Sequence, residues 1–145
     1  MNYVKPIYTG VIATAAMTAV LALMPLTGIQ QVNLASLVGS EAIGFIILGW
    51  VIHFVVGIAY AFVYKILINE YLPIESDIGR GMVYGIIIFV FSTMGVLIIN
   101  LLGFVSWNMK ESMSLAAFGY ILSFIVYGAV VGGMLKRHSI VSLPT

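Results

Sequence analysis

Cysteine is absent from this 145-residue chain. That excludes disulfides, thiolate metal sites, iron–sulfur clusters and thiol nucleophiles. Charge is scarce as well: Asp, Glu, Lys and Arg make up 8% of the residues, against roughly 25% in an ordinary soluble domain. The net charge of +1 comes without a basic stripe, so no nucleic-acid partner is expected. The eleven charged side chains, six basic and five acidic, all flank four apolar runs or lie between them, and none falls inside one. Proton- or ion-coupled transport therefore has no carboxylate or lysine to work with inside those runs.

What the chain has in abundance is apolar length. Hydrophobic residues are 62% of it, more than a soluble fold of this size could hide. The runs are residues 7–26, 42–64, 82–104 and 114–135. Each can cross about 30 Å of hydrocarbon at a helical rise of about 1.5 Å per residue. Backbone amides in lipid must be satisfied within the segment, and the runs lack the alternation of barrel strands, so they are expected to be helices. The fold class that follows is an all-α membrane protein: a single domain, 1–145, of four transmembrane helices. The first run exceeds the core of a secretory signal and is expected to be retained.

Five basic residues (Lys5, Lys65, Arg80, Lys136 and Arg137) flank one side of the runs and only Lys110 flanks the other. By the positive-inside rule both termini and the second connection are expected to be cytoplasmic. The halves also look duplicated, as two pseudo-repeated helical hairpins. Gly10 and Gly28 bracket the first helix as Gly85 and Gly103 bracket the third; Thr18 falls on Thr93, Pro25 on Asn100, and Gly49-Trp50 on Gly119-Tyr120. Asn33 and Ser36 are expected to face water from one or two interfacial turns in the first connection, and Pro25 to shape the exit of the first helix.

Inside the runs, Gly49, His53, Gly57 and Ala61 recur every four residues and share a face where helix backbones can approach. Gly85, Gly128 and Gly132 are the packing candidates on the other helices. His53 is expected to point into the bundle toward a neutral, hydrogen-bonding core drawn from Thr14, Thr18, Ser92, Thr93, Asn100, Ser123 and Tyr127. Two readings of that core stay open. It can be structural, with one Thr or Asn satisfying a neutral imidazole. Alternatively His53 can be functional, as a haem ligand or proton acceptor. The second histidine, His138, lies beyond Lys136 and Arg137 and cannot meet His53 at mid-membrane. No Ser–His or acid pair is placed by local spacing to support hydrolysis, so no catalytic residue is assigned.

The elements Pro25-Leu26-Thr27-Gly28, Gly49-Trp50-x-x-His53-Phe54-x-x-Gly57, Arg80-Gly81-x-x-x-Gly85 and Tyr127-Gly128-Ala129-x-x-Gly132 occur in this order. Together they resemble a group of small bacterial four-helix membrane proteins forming a domain of unknown function. The resemblance implies the architecture and an inner-membrane setting, without an activity. It also implies a histidine in the last helix at the position of Ser123, which this chain lacks, so a paired-histidine ligand set is not expected. The functional expectation is an accessory or partner-binding bundle in the lipid bilayer, joined to a membrane-protein partner or a second copy, with no resident cofactor. Haem binding at His53 and permeation of a small neutral solute are the alternatives.

Overall fold

In the computed structural model, residues 3–27, 43–68, 71–103 and 113–136 are described, apart from the side chains at 27, 43–46, 99, 100 and 113–116. The expected turns at Asn33 and Ser36, the Asn100 side chain and His138 lie outside that set. Four α-helices carry the fold: α1 (Val4–Leu23), α2 (Ile43–Val63), α3 (Asp77–Leu101) and α4 (Met113–Met134). All four are long and apolar enough to cross a membrane. Among the described residues there is no strand.

The helix ends follow backbone chemistry rather than the edges of the apolar runs. Pro6 sits in the first turn of α1, where its missing N–H has no intrahelical acceptor to forgo. At the other end Pro25 stops the α-helical ladder. The chain tightens into a 3-10 turn over Met24–Thr27, with the Met24 N–H bonded to Leu21 O. Helix α2 does not end at Tyr64 but widens into a π turn over Tyr64–Ile68 that takes in Lys65. Helix α3 begins five residues before its apolar run, because the Ser76 hydroxyl accepts the Gly79 N–H at 3.2 Å as a cap, and Asp77 complements the helix dipole. It ends before Gly103, whose φ of 77° suits a residue without a Cβ.

Arg80 is consequently a helix residue rather than a loop charge, and it is 1% exposed. Its Nε and Nη2 both donate to Ile74 O, at 3.1 and 2.6 Å, and Nη1 donates to Asp77 Oδ1 at 3.0 Å. A buried guanidinium is tolerable only with such partners. Here they staple the chain before α3 onto its first turn.

Residue contacts show the order of packing. Gly10 of α1 meets Gly57 and Ile58 of α2, and Thr18 meets His53, so these helices run antiparallel. Asp77, Gly81 and Gly85 of α3 meet Gly132, Gly128 and Phe124 of α4, again antiparallel. Helix α1 also packs on α4, whereas the backbones of α2 and α3 stay apart. An exact twofold relation between the hairpins would pair α2 with α3 as α1 pairs with α4, and the packing lacks that equivalence. Up-down-up-down topology brings Lys5, Lys65, Glu75, Asp77, Arg80 and Lys136 to one end of the bundle. Every charged residue among those described is there.

A closed half and an open half, the candidate functional site

Glycine contacts divide the bundle along its axis. Toward the charged end backbones touch: a methyl group placed at Gly10 would lie 2.6 Å from Ile58 Cα, one at Gly81 2.8 Å from Gly132 Cα, and one at Gly128 2.8 Å from Gly85 N. Gly85 and Gly132 meet opposing backbone just as closely, at Phe124 O and Asp77 O. Gly57 is filled by the Thr14 side chain. Toward the uncharged end the described glycines make no backbone contact of this kind. Gly49 and Gly95 have nothing within 4 Å among the described residues, and Gly119 meets only the flexible Met24 side chain, at 3.2 Å. The buried apolar core, Ala13, Met17, Ala61, Tyr64, Tyr84, Ile88, Tyr127, Val131 and Leu135, occupies the closed half.

Tyrosines bridge the gap between α2 and α3 that the backbones leave. Tyr84 OH donates to Tyr60 O at 2.7 Å, Tyr60 OH and Ser92 Oγ are 3.0 Å apart, and Tyr127 OH donates to Gly57 O across the core. The Tyr64 and Tyr84 rings tilt together at 5.1 Å. Buried without a hydrogen bond of full geometry, the Tyr64 hydroxyl sits in the field of Arg80. Tyr127→Phe is expected to lower stability by about 1 kcal/mol, because one interhelical bond is lost and the ring stays packed. Thermal unfolding of the detergent-solubilised protein measures this, and an unchanged midpoint would show the bond to be idle.

His53 stands at the junction of the two halves, half-buried. Its Nε2 is 3.1 Å from Thr18 Oγ1, and the Thr18 hydroxyl already donates its single hydrogen to Thr14 O at 2.8 Å. The direction of the Thr18–His53 bond follows the imidazole tautomer. Trp50 and Phe54 set their rings edge-on to the imidazole, each with centroids 6.0 Å away, and Trp50 is 49% exposed.

The other residues expected in one polar core are distributed differently. Thr14 is buried with its hydroxyl unpartnered against Gly57. Thr93 turns back to Phe89 O at 2.8 Å, and Ser123, also buried, turns back to Tyr120 O at 2.7 Å. Among the described members of the expected group, Thr14 and Thr18 are tied to His53, directly or through one bond; Ser92 and Tyr127 belong to the tyrosine bridges. Ala61 is fully buried beside Gly57, whereas Gly49, on the same stripe, packs on nothing described. Sequence reasoning gave no place inside the bundle to Arg80, Tyr84 or Thr9. The Asp77–Arg80 spacing of three was the available signal for the first, but it does not say which side of the helix is covered.

Among the described residues no three of His, Asp and Glu converge as metal ligands. A haem held through His53 Nε2 would have to displace the Thr18 bond. What the fold and this site define is a multi-pass, four-helix membrane protein, with one end of the bundle closed by glycine and tyrosine packing and, among the described residues, no such closure toward the other. The chain belongs to the family of unknown function DUF6789, matched over residues 1–141. No curated protein and no solved structure matches it.

Proposed function

We propose that this protein is a binding subunit of a bacterial inner membrane, acting by non-covalent association in the open half of its bundle. The observation that carries the reading is the contrast between halves: backbone contact at Gly10, Gly81 and Gly128, and nothing within 4 Å of a methyl at Gly49 or Gly95 among the described residues. A bundle needing only to persist in lipid gains nothing from splaying around a half-buried histidine, since polar groups at depth are costly and mark binding or transfer sites. The charged end faces the cytoplasm with both termini, because Lys5, Lys65, Arg80 and Lys136 gather there.

Gly49→Leu and Gly95→Leu test the reading. Both are expected to leave thermal stability in detergent unchanged while abolishing association, read as loss of a partner or second copy on chemical cross-linking in native membranes. A fall in stability matching that of closed-half substitutions would overturn it. For orientation, reporter fusions after Leu135 and near Glu75 are expected to report cytoplasm, and a fusion near Lys110 the opposite side. The reverse pattern would invert the topology.

A further inference from the structure

The four helices are tied to one another unequally, and the inequality has a direction. Each hairpin is bound through its glycines: Gly10 lies against Ile58 and Gly57 against Thr14 between α1 and α2, while Gly81, Gly85 and Gly132 meet opposing backbone between α3 and α4. One edge between the hairpins is closed as well, since α1 packs on α4 and the Met24 side chain still meets Gly119 near the uncharged end. The other edge is built differently. Between α2 and α3 the backbones stay apart, and the ties are side chains: the Tyr64 and Tyr84 rings, Tyr84 OH on Tyr60 O, and Tyr60 OH with Ser92 Oγ at 3.0 Å.

The Tyr60–Ser92 pair is the last of these ties. Among the described residues no hydrogen bond or ring contact joins α2 to α3 on its uncharged side, where His53 is bonded to Thr18 of α1 and Thr93 turns back to Phe89 O on its own helix. At the charged end the same edge is pinned, because Arg80 holds Ile74 of the connection onto the first turn of α3. Local opening begins where buried contacts and bonds are fewest. We propose that the edge between α2 and α3 opens laterally to the lipid at its uncharged end while the α1–α4 edge holds, with the Tyr60–Ser92 hydrogen bond as the clasp. Apolar side chains lose little when they exchange a neighbouring helix for acyl chains, so in lipid the clasp weighs heavily in the balance. The motion belongs to the bundle itself, whether or not a partner is bound.

The lack of cysteine makes the test direct. Two pairs of spin labels are attached to the full-length protein at exposed positions: through Val55→Cys and Leu97→Cys across the α2–α3 edge, and through Leu23→Cys and Phe118→Cys across the α1–α4 edge. Electron–electron distance distributions are then measured in lipid nanodiscs. A single narrow distance is expected between positions 23 and 118, and between 55 and 97 a broad or two-peaked distribution with a longer component. Ser92→Ala should raise the ratio of long to short distances about threefold to tenfold, as the loss of one hydrogen bond requires, and leave the α1–α4 distance as it was. Equally narrow distributions at both edges would overturn the proposal, and that comparison needs neither clasp residue to be changed. So would equal broadening at both edges in the Ser92→Ala protein, or a 55–97 distribution indifferent to Ser92→Ala and Tyr60→Phe alike.

Discussion

Gly128→Ala is expected to be the most damaging single-methyl change in this protein, lowering stability by about 3 kcal/mol. The added carbon would press on Gly81 O and come within 2.8 Å of Gly85 N, both backbone atoms that no rotamer change can move. Relief requires α3 and α4 to separate along the whole Asp77–Gly132 to Gly85–Phe124 contact. In lipid that contact has no hydrophobic driving force behind it, only close packing and the weak bonds it permits, so a small displacement forfeits much of it. Gly49→Ala is the matched control, since a methyl there meets nothing within 4 Å among the described residues. Thermal unfolding of both variants in the same detergent decides the matter. If Gly128→Ala and Gly49→Ala unfold together, the α3–α4 contact is not what holds the bundle.

Arg80→Ala is expected to cost nearly as much, about 2–3 kcal/mol, for a different reason. Two of the guanidinium N–H groups satisfy Ile74 O and a third meets Asp77, while the side chain itself is 2% exposed. Alanine leaves that carbonyl without its donors and a cavity beside Tyr64. Lysine should not rescue it, because an ammonium cannot present the same planar fork to Ile74. Asp77→Asn should cost less than about 1 kcal/mol, since Asp77 is 29% exposed and water can replace its partner. A loss for Asp77→Asn equal to that for Arg80→Ala would mean that the ion pair, not the staple to Ile74, is what matters.

These two positions also mark where the sequence could and could not be read. Glycines at Gly81, Gly85, Gly128 and Gly132 are spaced to clear a helix face, and a spacing of four is a property of one chain segment, visible without coordinates. Which face meets which is a property of two segments. The stripe Gly49, His53, Gly57, Ala61 illustrates the limit: Gly57 and Ala61 are packed, yet Gly49, about 12 Å along the same face, is not. Helices that cross at an angle touch near one point and part beyond it, so the same motif can be a contact at one depth and a vacancy at another. Tyr84 was unreadable for a similar reason, because its acceptor, Tyr60 O, is a backbone atom on another helix. His53 was conspicuous as the only histidine within an apolar run, but its tautomer depends on Thr18 and Thr14, brought to it from α1.

By itself the sequence determined that the protein crosses a membrane four times as helices, because apolar length and the need to satisfy amides in lipid leave no other structure. Together with the absence of cysteine and of charge within the runs, it also determined which chemistries the interior lacks. Only the tertiary structure decided how the described polar residues divide between the tyrosine bridges, local helix bonds and His53. Backbone-to-backbone contacts between α1 and α2 and between α3 and α4 draw the tyrosines together toward the charged end, with His53 beyond them, and such contacts join segments far apart in the chain.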